Sequence, residues 1–143
     1  MRLPVIVDAS VILKWALTEP DSEVAAHLFL RDDLAAPAML HIELGHTLTK
    51  FSRRRMIAPE DALNAWRALR QADILIYDDE ALLEPAVELA LTLNASFYDC
   101  VYLALAVETA DRVATADEHF VRAVRAAPKY AARVLTLAEA TAT

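Results

Sequence analysis

The chain has 143 residues, 57% of them hydrophobic, with one cysteine, one glycine and a formal charge of −7. That length suits one domain around one core, the lone Cys100 excludes an intrachain disulfide and fits a reducing cytoplasm, and no uncharged apolar stretch approaches the ~20 residues of a bilayer span. Gly45 is the only glycine, so neither a glycine-rich phosphate loop nor a dinucleotide fingerprint can be built.

The apolar, β-branched run at 3–7 reads as a buried strand, and 9–17 as a helix. No leader peptide is expected, because Asp8 interrupts any apolar h-region and no small-residue cleavage site follows. A second helix over 22–31 starts at Pro20-Asp21-Ser22. A short strand at 34–36 leads through Pro37 into a long helix over 38–54. Pro59-Glu60-Asp61 opens a helix to about 72, acidic in its first turn as the helix dipole favours. Then come a strand at 74–77, helices at 78–94 and 98–108, a strand at 112–116, a helix at 118–127 and a last strand at 133–137. This alternation predicts an α/β fold, a parallel sheet covered on both faces. Ligands of such sheets bind beyond the carboxyl ends of the strands, where Asp8 and Asp117 fall.

Four acids occupy unusual places. Asp8 lies between two apolar runs; an N-cap of the helix at 9–17 explains it equally well, and Ser10 would share the cap or orient the carboxylate. Glu43 falls inside the apolar stripe of Leu40, Leu44, Thr47 and Phe51, where a glutamate needs a partner, with partial exposure at a helix edge as the alternative. Asp99 heads a face carrying Tyr102, Leu103 and Ala106, with a dipole-favoured first-turn acid as the alternative. Asp117 closes RVATAD and, taken singly, is explained by N-capping; Thr115 would serve the same place through its hydroxyl. Carboxylates brought within ~5 Å repel by about 3 kcal/mol per pair at an effective dielectric near 20. A hard divalent cation relieves that repulsion, and Mg²⁺ or Mn²⁺ suits an all-carboxylate site.

Other features read as structural. His27, His41, His46 and His119 show no zinc spacing, since His41 and His46 do not share a helical face. Arg53, Arg54 and Arg55, with Lys50, form an exposed helix end, or else a contact for phosphate or an acidic partner. This arginine-rich patch softens the objection that an acidic protein should not bind nucleic acid. Trp66 is expected in the core with Leu63 and Leu69. Burial is also expected for Trp15, Phe29 and Leu30, a partner groove being the alternative. Asp78-Asp79-Glu80 reads as a solvated helix start.

Four segments in this order, VDASVILKW (7–15), HIELGHTL (41–48), YDCVYLALA (98–106) and TADEHF (115–120), resemble PIN-domain proteins, specifically the VapC-type toxins of type II toxin–antitoxin pairs. The resemblance implies one PIN domain over residues 1–143, a three-layer fold with a central, mostly parallel sheet flanked by helices. It implies a cytoplasmic endoribonuclease that cuts RNA with water activated by Mg²⁺ or Mn²⁺. Its catalytic and metal-binding set maps onto Asp8, Glu43, Asp99 and Asp117, with Asp8 and Asp99 as principal ligands. Ser10 matches the family's small hydroxyl residue, whereas His46 stands where the family often has asparagine, keeping a hydrogen bond or adding a titratable group. A homodimer and a cognate antitoxin are implied too, with DNA met only through the antitoxin and no membrane involved. The short chain favours a toxin over an RNA-processing nuclease. Two rivals remain at this stage. One is a non-catalytic PIN-fold binding module. The other is a receiver-like signalling domain, which needs adjacent acids after its first strand where this chain has Asp8 alone.

Overall fold

Five short strands form from the β-branched and alanine-rich runs: Val5–Val7 (β1), Leu34–Pro37 (β2), Leu75–Tyr77 (β3), Arg112–Thr115 (β4) and Val134–Thr136 (β5). They pair in parallel in the order β3-β2-β1-β4-β5. The computed structural model describes residues 4–17 and 22–142; Leu3 of the expected first strand and the Pro20-Asp21 start signal lie outside the described residues. β1 is central, with Ile6 between Ala35 of β2 and Val113 of β4. Its three side chains are fully buried, each worth about 1.5–3 kcal/mol of apolar burial.

Helices Ala9–Ala16 (α1) and Ser22–Leu28 (α2) join β1 to β2, and Met39–Arg53 (α3) and Pro59–Arg70 (α4) join β2 to β3. Leu83–Thr92 (α5) and Phe97–Thr109 (α6) cross back to β4, Glu118–Arg125 (α7) leads to β5, and Leu137–Ala142 (α8) follows. The chain thus moves outward from β1 through β2 to β3, then returns across β1 to β4. Right-handed crossovers put the two runs of helices on opposite faces. Accordingly α1 packs on α2, α3 and α4, while α6 packs on α5 and lies across β1, β2 and β4. Because α6 feeds the start of β4, it runs against the strands and its N-terminus sits at their carboxyl edge.

The structure departs from expectation in places with local causes. The second helix stops at Leu28 rather than 31, where Arg31 clasps Asp33 through two 2.7 Å bonds and turns the chain toward β2. The buried stripe of α3 is Met39, Leu40, Leu44 and Leu48; Thr47 and Phe51 are only half-buried. The helix expected at 78–94 is split into a 3₁₀ turn, Glu80–Leu82, and α5, because Pro85 fits only a helix's first turn. β3 is an edge strand whose Leu75 is 61% exposed, so the sheet is not covered on both faces there. Trp15 and Leu30 are exposed rather than core, Trp15 stacking on Phe29 at 4.5 Å. Leu63 is exposed too, although Leu69 is buried and the Trp66 indole donates to the His41 carbonyl at 3.0 Å. The expected strand 133–137 ends at Thr136 and turns into α8. There Thr136 and Glu139 form a reciprocal capping box at 3.0 and 3.2 Å.

Asp79 is more than a solvated helix start. Its Oδ1 accepts the Met39 N–H at 3.1 Å, capping α3, whose own N-cap residue Ala38 supplies no side-chain acceptor. Asp79→Ala is expected to cost about 1 kcal/mol of stability, read as a lower urea midpoint with unchanged slope; an unchanged midpoint would refute the capping role.

Candidate active site

All four acids reach the carboxyl edge of the sheet, for reasons visible in the topology. Asp8 follows β1 and Asp117 follows shortly after β4, the two neighbouring strands between which the chain's direction of travel reverses. Such a switch point opens a crevice. Glu43 lies in the opening turns of α3, directly after β2, and Asp99 lies in the first turn of α6.

Asp8 is 4% exposed. It caps α1, its Oδ1 accepting the Val11 N–H at 3.3 Å and the Ser10 hydroxyl at 2.5 Å. Burial pushes its carboxyl up to about 7; the Ser10 and Thr115 hydroxyls and the Val11 N–H oppose the rise, and the Asp99 charge adds to it. Ser10 also accepts the Ala116 N–H at 2.9 Å and touches the Thr115 hydroxyl at 3.3 Å, tying the end of β4 to α1. Thr115 is buried and accepts the Asp117 N–H at 3.0 Å. Asp117 caps α7, accepting the His119 and Phe120 N–H groups at 2.9 and 3.3 Å.

Glu43 is half-buried, and its Oε1 is buried with no hydrogen-bond partner. Burial raises its proton affinity; the nearby Tyr102 hydroxyl opposes the rise and the Asp99 charge adds to it. Asp99 is half-buried one turn inside α6, where its N–H donates at 3.1 Å to the N-cap Ser96. Its carboxyl is raised chiefly by burial and further by Asp117, with Ser96 and His119 opposing. Asp99 is therefore the hub, coupled electrostatically to Asp8, Glu43 and Asp117. The Arg31–Asp33, Arg122–Glu118 and Arg125–Glu139 ion pairs leave all four acids out.

The capping explanations for Asp8 and Asp117 thus hold, and both residues still belong to the acidic neighbourhood. His46 is exposed on α3. Three contributors escaped the reading of the sequence. Ser96 was signalled by the spacing Ser96-x-x-Asp99. Tyr102 lies three residues beyond Asp99 and was counted only as apolar. His119 acts on Asp99 from the start of α7.

Ser10→Ala removes a donor from Asp8 and leaves the Ala116 N–H without its acceptor. The expected loss is about 1–3 kcal/mol, together with a further rise in the Asp8 pKa. Urea unfolding and an NMR titration of the Asp8 carboxyl carbon check both; an unmoved Asp8 titration would contradict the assigned role.

The donor set fits a hard divalent cation. It is all oxygen, three of its members hold protons more tightly than usual, and one buried acceptor has no partner. A bound cation would favour the charged form of each of these carboxylates. Among the described residues no three His, Cys, Asp or Glu side chains stand close enough together to hold an ion as they are.

The PIN domain family model matches residues 5–126, a span containing all four acids. No curated protein matches the chain. Among crystal structures, PAE2754 of Pyrobaculum aerophilum aligns with a TM-score of 0.68 at 20% identity, covering 99% of this chain and 91% of its own. VapC20 of Mycobacterium tuberculosis, a sarcin–ricin loop cleaving toxin, aligns at 0.65 and 19% identity, covering 83% of this chain and 94% of its own. These two likenesses are likenesses of fold. With the family model spanning most of its length, the chain belongs to the PIN domain family.

Proposed function

We propose that this chain is a divalent-cation-dependent endoribonuclease and the toxin of a toxin–antitoxin pair, built as one PIN domain over residues 1–143. The observation that carries the reading is the gathering of Asp8, Glu43, Asp99 and Asp117 into one electrostatic neighbourhood in which the acids raise one another's proton affinity. Family membership and the fold shared with an RNA-cleaving toxin support it.

Asp8 and Asp99 are the principal ligands in this reading, with Glu43 and Asp117 completing the set. Bound Mg²⁺ or Mn²⁺ supplies Lewis acidity at the phosphodiester and lowers the pKa of water there. Ser10 and the Val11 N–H fix the Asp8 carboxylate, and the first turn of α7 fixes Asp117. Asp8, whose pKa lies near 7, gives up its proton readily when a cation competes for it. No side chain is needed as nucleophile. The Ser10 hydroxyl is committed to Asp8 and the Ala116 N–H, and the buried Cys100 thiol is pushed up to about 11 by burial and by Asp99.

A homodimer and an antitoxin partner belong to the same proposal, as does a cytoplasmic location. No single helix among the described residues is long and apolar enough to cross a membrane. Arg53, Arg54 and Arg55 are exposed and offer positive charge to RNA phosphates or an acidic partner. The test is cleavage of RNA, including one carrying a sarcin–ricin loop, by the purified chain in Mg²⁺ or Mn²⁺ and in EDTA. Cutting confined to the metal samples is expected. RNA left intact in every sample by antitoxin-free protein would leave a binding module in its place.

A further inference from the structure

Two buried polar atoms near the candidate site are left over when every hydrogen bond is assigned. Glu43 Oε1 is an acceptor without a donor, and the Tyr102 hydroxyl is a donor without an acceptor. Buried polar groups in folded proteins are almost always paired, so each such exception asks for an explanation. Here the two exceptions are complementary, and they are neighbours: hydroxyl and carboxylate act on one another, although neither has a formed hydrogen bond. Tyr102 is only 1% exposed and lies on α6 one turn beyond Asp99, whereas Glu43 projects from α3. The phenol therefore joins the two helices that carry acids, deep in the core where its ring cannot move far.

From this placement we infer that Tyr102 is the positioning residue of Glu43, its hydroxyl donating to Oε1 and aiming the rest of the carboxylate at a cation shared with Asp99. The inference rests on the divalent-cation reading of the site. Partners of this kind, which orient a ligand without touching the ion, typically change metal affinity by about 10–100-fold when removed. Without the donor, Glu43 meets the cation with a free rotor and an unsatisfied buried oxygen. Tyr102 does not touch the reacting atoms, so it is not a catalytic residue.

The test is Mn²⁺ binding by isothermal titration calorimetry, independent of RNA cleavage, on the full chain, Tyr102→Phe, Glu43→Gln and the double variant, with thermal melts of each free of metal. Tyr102→Phe keeps the ring in the core and deletes an unpaired hydroxyl, so its metal-free melting temperature should be unchanged or higher. Its Mn²⁺ affinity should fall about tenfold or more, and the same change made on Glu43→Gln should cause no further loss. Unchanged affinity in Tyr102→Phe overturns the inference, as does an equal loss in the Glu43→Gln background. Absence of saturable Mn²⁺ binding by the unaltered chain instead removes the metal reading itself, and the inference with it. Should Tyr102→Phe not fold, the near-ultraviolet tyrosine difference spectrum on adding Mn²⁺ decides. A change abolished by Glu43→Gln supports the role of Tyr102, and no change, or one that survives the substitution, overturns it.

Discussion

Replacing Asp99 with Asn is expected to reduce metal-dependent RNA cleavage by about 10²-fold or more, the scale on which removing one electrostatic group at a reacting centre acts. The same change should leave the free protein as stable as before, or more so. Asp99 is raised by its burial and then by the charge of Asp117, and its own charge raises Asp8 and Glu43 in turn. Neutralising the hub therefore relieves three unfavourable relationships at once, and Asn retains a polar group for the Ser96 cap. Initial cleavage rates in Mn²⁺, paired with melting curves, separate the outcomes. Lost activity with a maintained or raised melting temperature places Asp99 in the site. Retained activity would point to a contaminating nuclease, and joint loss of fold and activity would make Asp99 a structural residue.

The second large effect concerns pH. The Asp8 carboxyl lies at about 7 in the fold against an ordinary 3.8. Below about pH 4 the group is protonated in folded and unfolded chains alike and costs nothing. As pH rises toward 7, the unfolded chain releases a proton that the fold retains, so stability is lost across that window and the loss levels off above it. The full loss is of order 4 kcal/mol as an upper bound. Glu43 and Asp99 are raised as well and act in the same sense. Asp8→Asn removes the titrating group while keeping a side chain that caps helices equally well. Its urea midpoint should decline less from pH 4 to pH 8 than that of the unaltered chain, keeping only the part due to Glu43 and Asp99, so that the variant is the more stable at the alkaline end. Parallel curves for the two proteins would contradict the assignment. Saturating Mn²⁺ should reverse the trend in the unaltered chain alone, because the cation takes the deprotonated carboxylates and its stabilisation grows with pH.

Much of this was legible in the sequence because the fold's main decisions are local. Apolar β-branched runs such as Val5–Val7 became strands, Pro59 opened its helix, and Asp8 and Asp117 became the N-caps their positions suggested. The four acids were visible as charges interrupting apolar patterns. What stayed hidden depended on distant parts of the chain. Asp79 looked like part of a solvated acidic cluster because its partner, the Met39 N–H, is forty residues away. Leu75 read as a buried strand residue because periodicity cannot tell an edge strand from a central one. Tyr102 passed for an apolar residue because its hydroxyl acquires meaning only beside Glu43, which comes from a distant segment of the chain. The last helix was missed for a different reason: Thr136 and Leu137 were read as the end of a strand, so the Thr136-x-x-Glu139 capping box went unnoticed.

The strand order has a consequence for when during synthesis the protein can become active. β1 is made first, yet one of its two edges is closed only by β4, and Ser10 meets Thr115 across 105 positions of chain. At about 5–20 residues per second, roughly five to twenty seconds pass between translation of the two halves of the acidic crevice. Through that interval the nascent chain holds Asp8, then gains Glu43 and Asp99, but has neither Asp117 nor the complete strand that brings it into place. Non-local parallel pairing of this kind is also slow to form once the chain is complete. If the proposed ribonuclease activity needs all four acids, the chain cannot act on RNA before Asp117 has been made and β4 has paired with β1.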